Sequence, residues 1–238
     1  MKLLVLQHET VEHPGIFRRF LAEDGHTYDA VELQLGEAPP ALDGYDALWV
    51  LGGPMDVWQE DQHPWLKPEK GLIRQAVEAG MPYLGLCLGH QLLAEAMGGA
   101  VGPSKTPEIG VMPVEATQSG GLFQDIPTSF DVLQWHSAEV TRMPPGANIL
   151  AKSDACAVQA MSVGPRAFSA QFHLEVEPET VQAWAAIPEY AAALEKAMGP
   201  GAVAKLDAAA AEKMHAFETT ALQFYRNWMS IAATEAAL

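Results

Sequence analysis

Along the first hundred residues, the apolar positions fall into short runs separated by longer periodic stretches. Leu3, Leu4, Val5 and Leu6 form a compact run bounded by polar residues, which reads as a buried strand. Ile16, Phe17, Phe20 and Leu21 then recur at helical spacing within residues 14–23. Residues 28–33 and 47–51 repeat the short apolar run, with a turn-rich stretch at 36–44 between them. After a loop carrying Pro54, Pro64 and Pro68, a helical pattern spans about 66–79 and ends at Gly80. A fourth run at 83–86 leads into a helix over 88–97, stopped by Gly98 and Gly99. This alternation predicts βαβ units around a parallel sheet covered on both faces.

From about 111 to 172 the punctuation changes. Short runs at 111–115, 131–133, 149–151, 157–161 and 167–172 predict strands in quick succession, partly antiparallel, in or beside the same sheet. Beyond Pro178 the chain is alanine-rich and helical. Met198, Gly199, Pro200 and Gly201 break it into two helices, the second reaching about residue 233. In that last helix Met214, Phe217, Ala221, Phe224 and Trp228 share one stripe, which predicts docking onto the body or, as the sharper alternative, a homodimer contact. With no repeat and no separating linker, one domain is expected. It comprises a main body over 1–190 and a C-terminal helical extension over 191–238 packed on it.

Composition narrows the function. The 238 residues are 49% hydrophobic, enough for a sizeable core. Fourteen Lys and Arg against 30 Asp and Glu give a formal net charge of −16, which repels polyphosphate and argues against a nucleic-acid partner. The opening residues carry one Lys and an apolar run of four, too little for a secretory signal, and no membrane span is expected. Two cysteines, Cys87 and Cys156, make no disulfide framework and fit a reducing, cytoplasmic setting.

The chemistry concentrates at Gly85-Leu86-Cys87-Leu88-Gly89-His90-Gln91. An apolar strand enters, a helix leaves, and Gly-x-Cys-x-Gly between them is a nucleophile elbow with sulfur in place of oxygen. Side chains at Gly85 and Gly89 would crowd such a turn. A thiol at a helix N-terminus is favoured as thiolate, and the Leu88 N–H can point at an oxyanion. A cysteine performing acyl transfer needs a base and a group to orient it. His173-Leu174-Glu175 supplies both, since positions two apart on an extended backbone project to the same side. Gly52-Gly53-Pro54, directly after the third strand, offers a second oxyanion donor at the carboxyl end of a sheet. His90 is expected to pack in its helix, and Cys156 to be an inert small hydrophobe. His8, His13, His26, His63 and His215 have no motif around them. Neither HExxH, paired CxxC nor an Asp-rich loop occurs, so no metal is expected.

With these motifs in view, the chain resembles the class I, triad-type glutamine amidotransferases, particularly stand-alone relatives of the glutaminase domain of GMP synthetase. Residues 51–55, 85–91 and 173–175 carry the resemblance. It implies a flavodoxin-like three-layer α/β/α sandwich with a mostly parallel central sheet and extra short strands. It also implies a Cys87–His173–Glu175 triad that cleaves a γ-glutamyl amide through a γ-glutamyl thioester. Gly53 and Leu88 would then supply the oxyanion N–H groups, while Gln91 and the segment Trp135, His136 and Ser137 would hold the glutamyl head group. Ser137-Ala138 stands where relatives often carry Gly-Asp, removing a carboxylate that Glu139 is positioned in sequence to replace. No Ser-Gly-Gly-x-Asp-Ser or Walker loop appears, so no ATP and no other cofactor is expected on this chain. The expected activity is therefore stand-alone hydrolysis of glutamine or of a γ-glutamyl amine or peptide. Two alternatives remain: a glutaminase subunit serving a separate ATP-using synthase, and a non-catalytic binding module.

Overall fold

A computed structural model describes residues 1–234; residues 235–238, the end of the expected C-terminal extension, lie outside the described residues. A nine-stranded sheet forms the centre. Its strands are β1 (Lys2–Gln7), β2 (Thr27–Glu32), β3 (Ala47–Val50), β4 (Tyr83–Leu86), β5 (Ala100–Ala116), β6 (Ser129–Arg142), β7 (Ala147–Lys152), β8 (Ala160–Val163) and β9 (Ala167–Ala170). They lie in the order β2-β1-β3-β4-β9-β8-β7-β5-β6. The first five strands of that order are parallel, and from β9 onward each neighbour is antiparallel.

Because the parallel strands are covered on both faces, their residues alternate between two cores rather than between core and water. Leu3, Val5 and Trp49 face one side, where α1 (Phe17–Glu23) and α6 (Ala202–Ala233) pack. Leu4, Leu6 and Val50 face the other, under α2 (Leu66–Glu78) and α3 (Leu88–Ala96). Helices thus flank the sheet on both sides, the architecture implied by the resemblance. The strands of the later region differ in length from the short runs read along the chain. β5 spans 17 residues and β6 spans 14, and their pairing is interrupted between Pro103 and Glu108.

The C-terminal region holds α4 (Thr180–Trp184), α5 (Pro188–Met198) and α6, three helices where two were expected. Pro188 at the start of α5 suits a first helical turn and not an interior, so it separates α4 from α5. The stripe on α6 faces this chain's own body. Phe224 stacks on Phe17, and Trp228 meets Trp49 edge-on at 5.3 Å and donates its Nε1–H to the Tyr83 carbonyl. Phe217 joins a third cluster with Trp135, Trp184 and Tyr190.

Candidate active site

Four neighbouring parallel strands send their carboxyl ends to one place. The order of strands along the sheet reverses between β1 and β3, a point where open α/β sheets leave a crevice. His8 follows β1, Gly52 and Gly53 follow β3, Cys87 follows β4, and Gln171, His173 and Glu175 follow β9. The register aligns them: Leu86 pairs with Ala170, and the Cys87 N–H donates to the Ala170 carbonyl at 2.8 Å.

Cys87 sits at φ 50° and ψ −102°, in the left-handed region that non-glycine residues rarely occupy. The turn tolerates no side chains beside it. A Cβ on Gly85 would lie 2.5 Å from the Gly89 carbonyl oxygen, and one on Gly89 would lie 2.0 Å from that of Val50. Cys87 is 5% exposed and occupies the N-cap position of α3, its thiol making no capping hydrogen bond.

His173 is held on both sides. Its N–H donates to the Leu133 carbonyl at 2.9 Å, and its ring meets Trp184 edge-on at 4.5 Å. Nδ1 lies 2.6 Å from Glu175 Oε1, while Glu175 Oε2 accepts the Leu174 N–H at 2.9 Å. The Cys87 sulfur lies close enough to the same ring to favour its protonated form. Burial works against charging His173, but Glu175 and Cys87 outweigh it and hold its proton affinity well above the ordinary imidazole range.

In front of Cys87 lies a cleft of about 100 Å³. Gly53, Leu88, Gln91, Trp135, His136 and Ser137 all line it, so the residues singled out along the chain converge there. Gln91 donates to Gln171 Oε1 at 3.0 Å, and Gln171 donates to Cys87 Sγ at 3.6 Å. His136 Nδ1 donates to the Ala138 carbonyl at 3.0 Å. Ala138 brings only a methyl group to the wall. Glu139 does not line the cleft, because successive strand residues point to opposite faces and its carboxylate lies on the side of Cys156 instead. The carboxylates on the wall are Asp56 and Glu189. Met55 and Asp56 of the loop after Gly53 belong to the cleft, whereas residues 104–108 stand aside from it.

The other candidates behave as packing groups. His90 is fully buried on Ser169 Oγ, and burial pushes its imidazole down to about 3. Burial pushes the Cys156 thiol up to about 12.

Several residues around the site have no sequence motif. Glu12, 2% exposed, accepts the Tyr190 hydroxyl through Oε1, while Oε2 has no partner among the described residues. Burial pushes its carboxyl up, and Glu175 adds to that against the pull of His173 and Tyr190. Glu12, His173 and Glu175 each offer an atom within 4.8 Å of the others, a spacing a cation could bridge. His173 Nδ1 and both Glu175 oxygens are already engaged with each other and the Leu174 N–H, and Glu12 Oε1 with Tyr190, which leaves Glu12 Oε2 as the uncommitted carboxylate oxygen of the three groups. His8 and Glu69 form a second buried pair beneath Gly52.

This fold and constellation define a class, and comparison with known proteins agrees: the chain belongs to the class I glutamine amidotransferase family, whose model matches residues 19–184. Among curated relatives it is 32% identical to the glutamine amidotransferase-like protein YfeJ of Salmonella typhimurium, over 76% of this chain and 79% of that one. It is 31% identical to gamma-glutamyl peptidase 5 of Arabidopsis thaliana, over 69% and 68%. To a glutamine-hydrolyzing GMP synthase component of Methanocaldococcus jannaschii it is 40% identical, over 48% of this chain and 61% of that one. A crystal structure of a glutamine amidotransferase from Thermotoga maritima superposes with a TM-score of 0.87 at 27% identity, covering 98% of this chain and 99% of that one. No helix among the described residues is long and apolar enough to cross a membrane.

Proposed function

We propose that this protein hydrolyses a γ-glutamyl amide through a thioester on Cys87, releasing glutamate and ammonia or an amine. The observation that carries the reading is the continuous line from the strained Cys87 through His173 to Glu175, opening on a cleft bordered by Gly53 and Leu88. The thiolate attacks the γ-carbonyl carbon, and the electron pair displaced onto oxygen is met by the Gly53 and Leu88 N–H groups. As the carbon–nitrogen bond breaks, His173 gives its proton to the departing amine. The same ring then takes a proton from water as it attacks the thioester, and glutamate leaves. Glu175 keeps Nδ1 protonated throughout, so the opposite ring nitrogen faces sulfur. Gln91, Trp135, His136 and Ser137 hold the glutamyl head group. With no carboxylate at Ala138, its α-ammonium group is met by Asp56 or Glu189.

A mass-spectrometric screen of glutamine and γ-glutamyl amines and peptides, with wild type and Cys87→Ala, tests the reading. Product formation and an acyl adduct on Cys87 are expected from wild type and neither from the variant. No product from any substrate would refute stand-alone hydrolysis. Likeness to the glutamine-hydrolyzing GMP synthase component favours a second reading, a glutaminase that delivers ammonia to a separate ATP-using synthase. Retrieval of such a partner that raises glutaminase activity severalfold would select it.

A further inference from the structure

The turn that carries Gly53 rests on a buried ion pair for which the hydrolytic reading has no role so far. His8 is 0% exposed, and both of its ring nitrogens are engaged. Nδ1 donates to the Gly52 carbonyl at 2.9 Å, and Nε2 donates to Glu69 Oε1 on α2, also at 2.9 Å. Glu69 is itself 1% exposed. Using both nitrogens as donors makes the ring an imidazolium, with the Glu69 carboxylate as its counter-charge. Burial opposes that charge, but Glu69, the Gly52 carbonyl and Glu12 outweigh it and raise the proton affinity of His8.

Stability alone does not account for such a pair, because apolar residues of similar volume serve a core equally well or better. The carbonyl it grips is the informative part. In a trans peptide the C=O of one residue and the N–H of the next point in opposite directions, and no cis peptide occurs among the described residues. Fixing the Gly52 oxygen on His8 therefore turns the Gly53 N–H away from His8. Among the described residues no acceptor takes that N–H, and Gly53 borders the cleft in front of Cys87. The contact is close: a Cβ on Gly53 would lie 2.7 Å from the His8 Cβ.

We propose that His8 and Glu69 are positioning residues of the oxyanion site, locking the Gly52–Gly53 peptide so that the Gly53 N–H stays aimed at the oxygen that becomes negative. This deepens the reading of Cys87 as an acyl-transfer nucleophile and does not depend on γ-glutamyl specificity. Two general probes separate positioning from mere support. With p-nitrophenyl acetate, the Cys87 sulfur bonds to the carbonyl carbon and the C=O electron pair moves onto oxygen. Collapse then expels p-nitrophenolate and leaves acetyl-Cys87. With iodoacetamide the same sulfur displaces iodide from a saturated carbon, and no oxyanion forms.

Both rates on Cys87 are to be followed by intact mass, with Cys87→Ala as the blank, in wild type, His8→Leu, His8→Asn and Glu69→Gln. Losing one oxyanion donor costs acyl transfer about 10²–10³-fold, so acetylation in His8→Leu is expected to fall by roughly 10–100-fold. Alkylation is expected to stay within about twofold, since thiolate and base are untouched. His8→Asn, which keeps a donor near the Nδ1 position, restores part of the acetylation rate. Glu69→Gln, nearly the same shape and the deciding variant should His8→Leu fail to fold, lowers the ratio of the two rates in the same direction. Equal falls in both rates would reduce the pair to a structural support, and an unchanged ratio would leave it without a part in the chemistry. Either outcome overturns the proposal. Wild-type protein that alkylates but never acetylates would instead contradict acyl transfer at Cys87 itself.

Discussion

Glu175→Gln is the sharpest perturbation of the proposed chemistry, because the structure fixes which way the new amide must face. Glu175 Oε1 lies 2.6 Å from His173 Nδ1, and Oε2 accepts the Leu174 N–H at 2.9 Å. A glutamine that keeps its oxygen on the Leu174 N–H presents its NH₂ group to Nδ1. The ring then accepts at Nδ1 and carries its proton on the other nitrogen, toward sulfur, so it cannot take the proton of the thiol. The opposite orientation sets the NH₂ group against the Leu174 N–H, two buried donors facing each other, at a cost of about 1–3 kcal/mol. The first orientation is therefore preferred, and it disables the base. In hydrolase triads, the loss of the correct tautomer costs about 10⁴-fold in kcat, or roughly 5.5 kcal/mol. Single-turnover acylation of Cys87 followed by mass spectrometry measures this directly, and an unchanged melting curve shows that the fold survives. An NMR titration supplies a second readout. In wild type His173 keeps its proton well above the ordinary imidazole range because Glu175 and Cys87 outweigh its burial. In the variant the midpoint falls. Acylation within about threefold of wild type would refute the assignment of Glu175.

Two further outcomes follow from groups outside the proposed triad. Trp228→Ala removes a side chain packed on Trp49 and bonded to the Tyr83 carbonyl, so urea unfolding is expected to lose about 3–5 kcal/mol; a loss below about 1 kcal/mol would contradict the docking role of α6. Glu12→Gln tests pH dependence. Because the carboxyl of Glu12 is pushed up by burial, its contribution to stability is complete below about pH 4.3 and drains away as pH rises through the raised value. The glutamine variant lacks that loss, so its stability relative to wild type is expected to grow between pH 5 and pH 8, and parallel urea curves would refute the shift.

Much of the parallel half of the fold was legible because its constraints are local. The runs at 3–6, 47–51 and 83–86 are apolar at nearly every position, as strands covered on both faces must be, and Gly80 and Gly98 mark helix ends. The long hairpin of β5 and β6 was not, since the apolar runs at 111–115 and 131–133 mark only part of either strand, and Pro103, Pro107 and Pro113 all fall inside β5. In the structure the pairing breaks between Pro103 and Glu108, and an irregularity of this kind lets a strand carry residues that cannot donate. Pro188 was missed for a related reason: alanine-rich periodicity runs through it, while its ring starts a new helix.

The same division runs through the site. Cys87 declares itself because a side chain at φ 50° needs glycines on both sides, and His173 announces Glu175 because the two are neighbours on one extended segment. The groups behind them carry no such local signature. His8 reaches Gly52 across 44 positions and Glu69 across 61, and Tyr190 reaches Glu12 across 178. Only the order β1-β3-β4-β9 and the placement of α5 bring those partners together. A nucleophile and its base need mutual geometry that a few residues can hold. An oxyanion donor is one face of a peptide whose other face must be anchored, and the anchor comes from wherever the sheet places the neighbouring strand end. On this reasoning the histidine without a motif, His8, is the one whose surroundings say most, because a buried ion pair beside a reactive turn is hard to explain by packing alone.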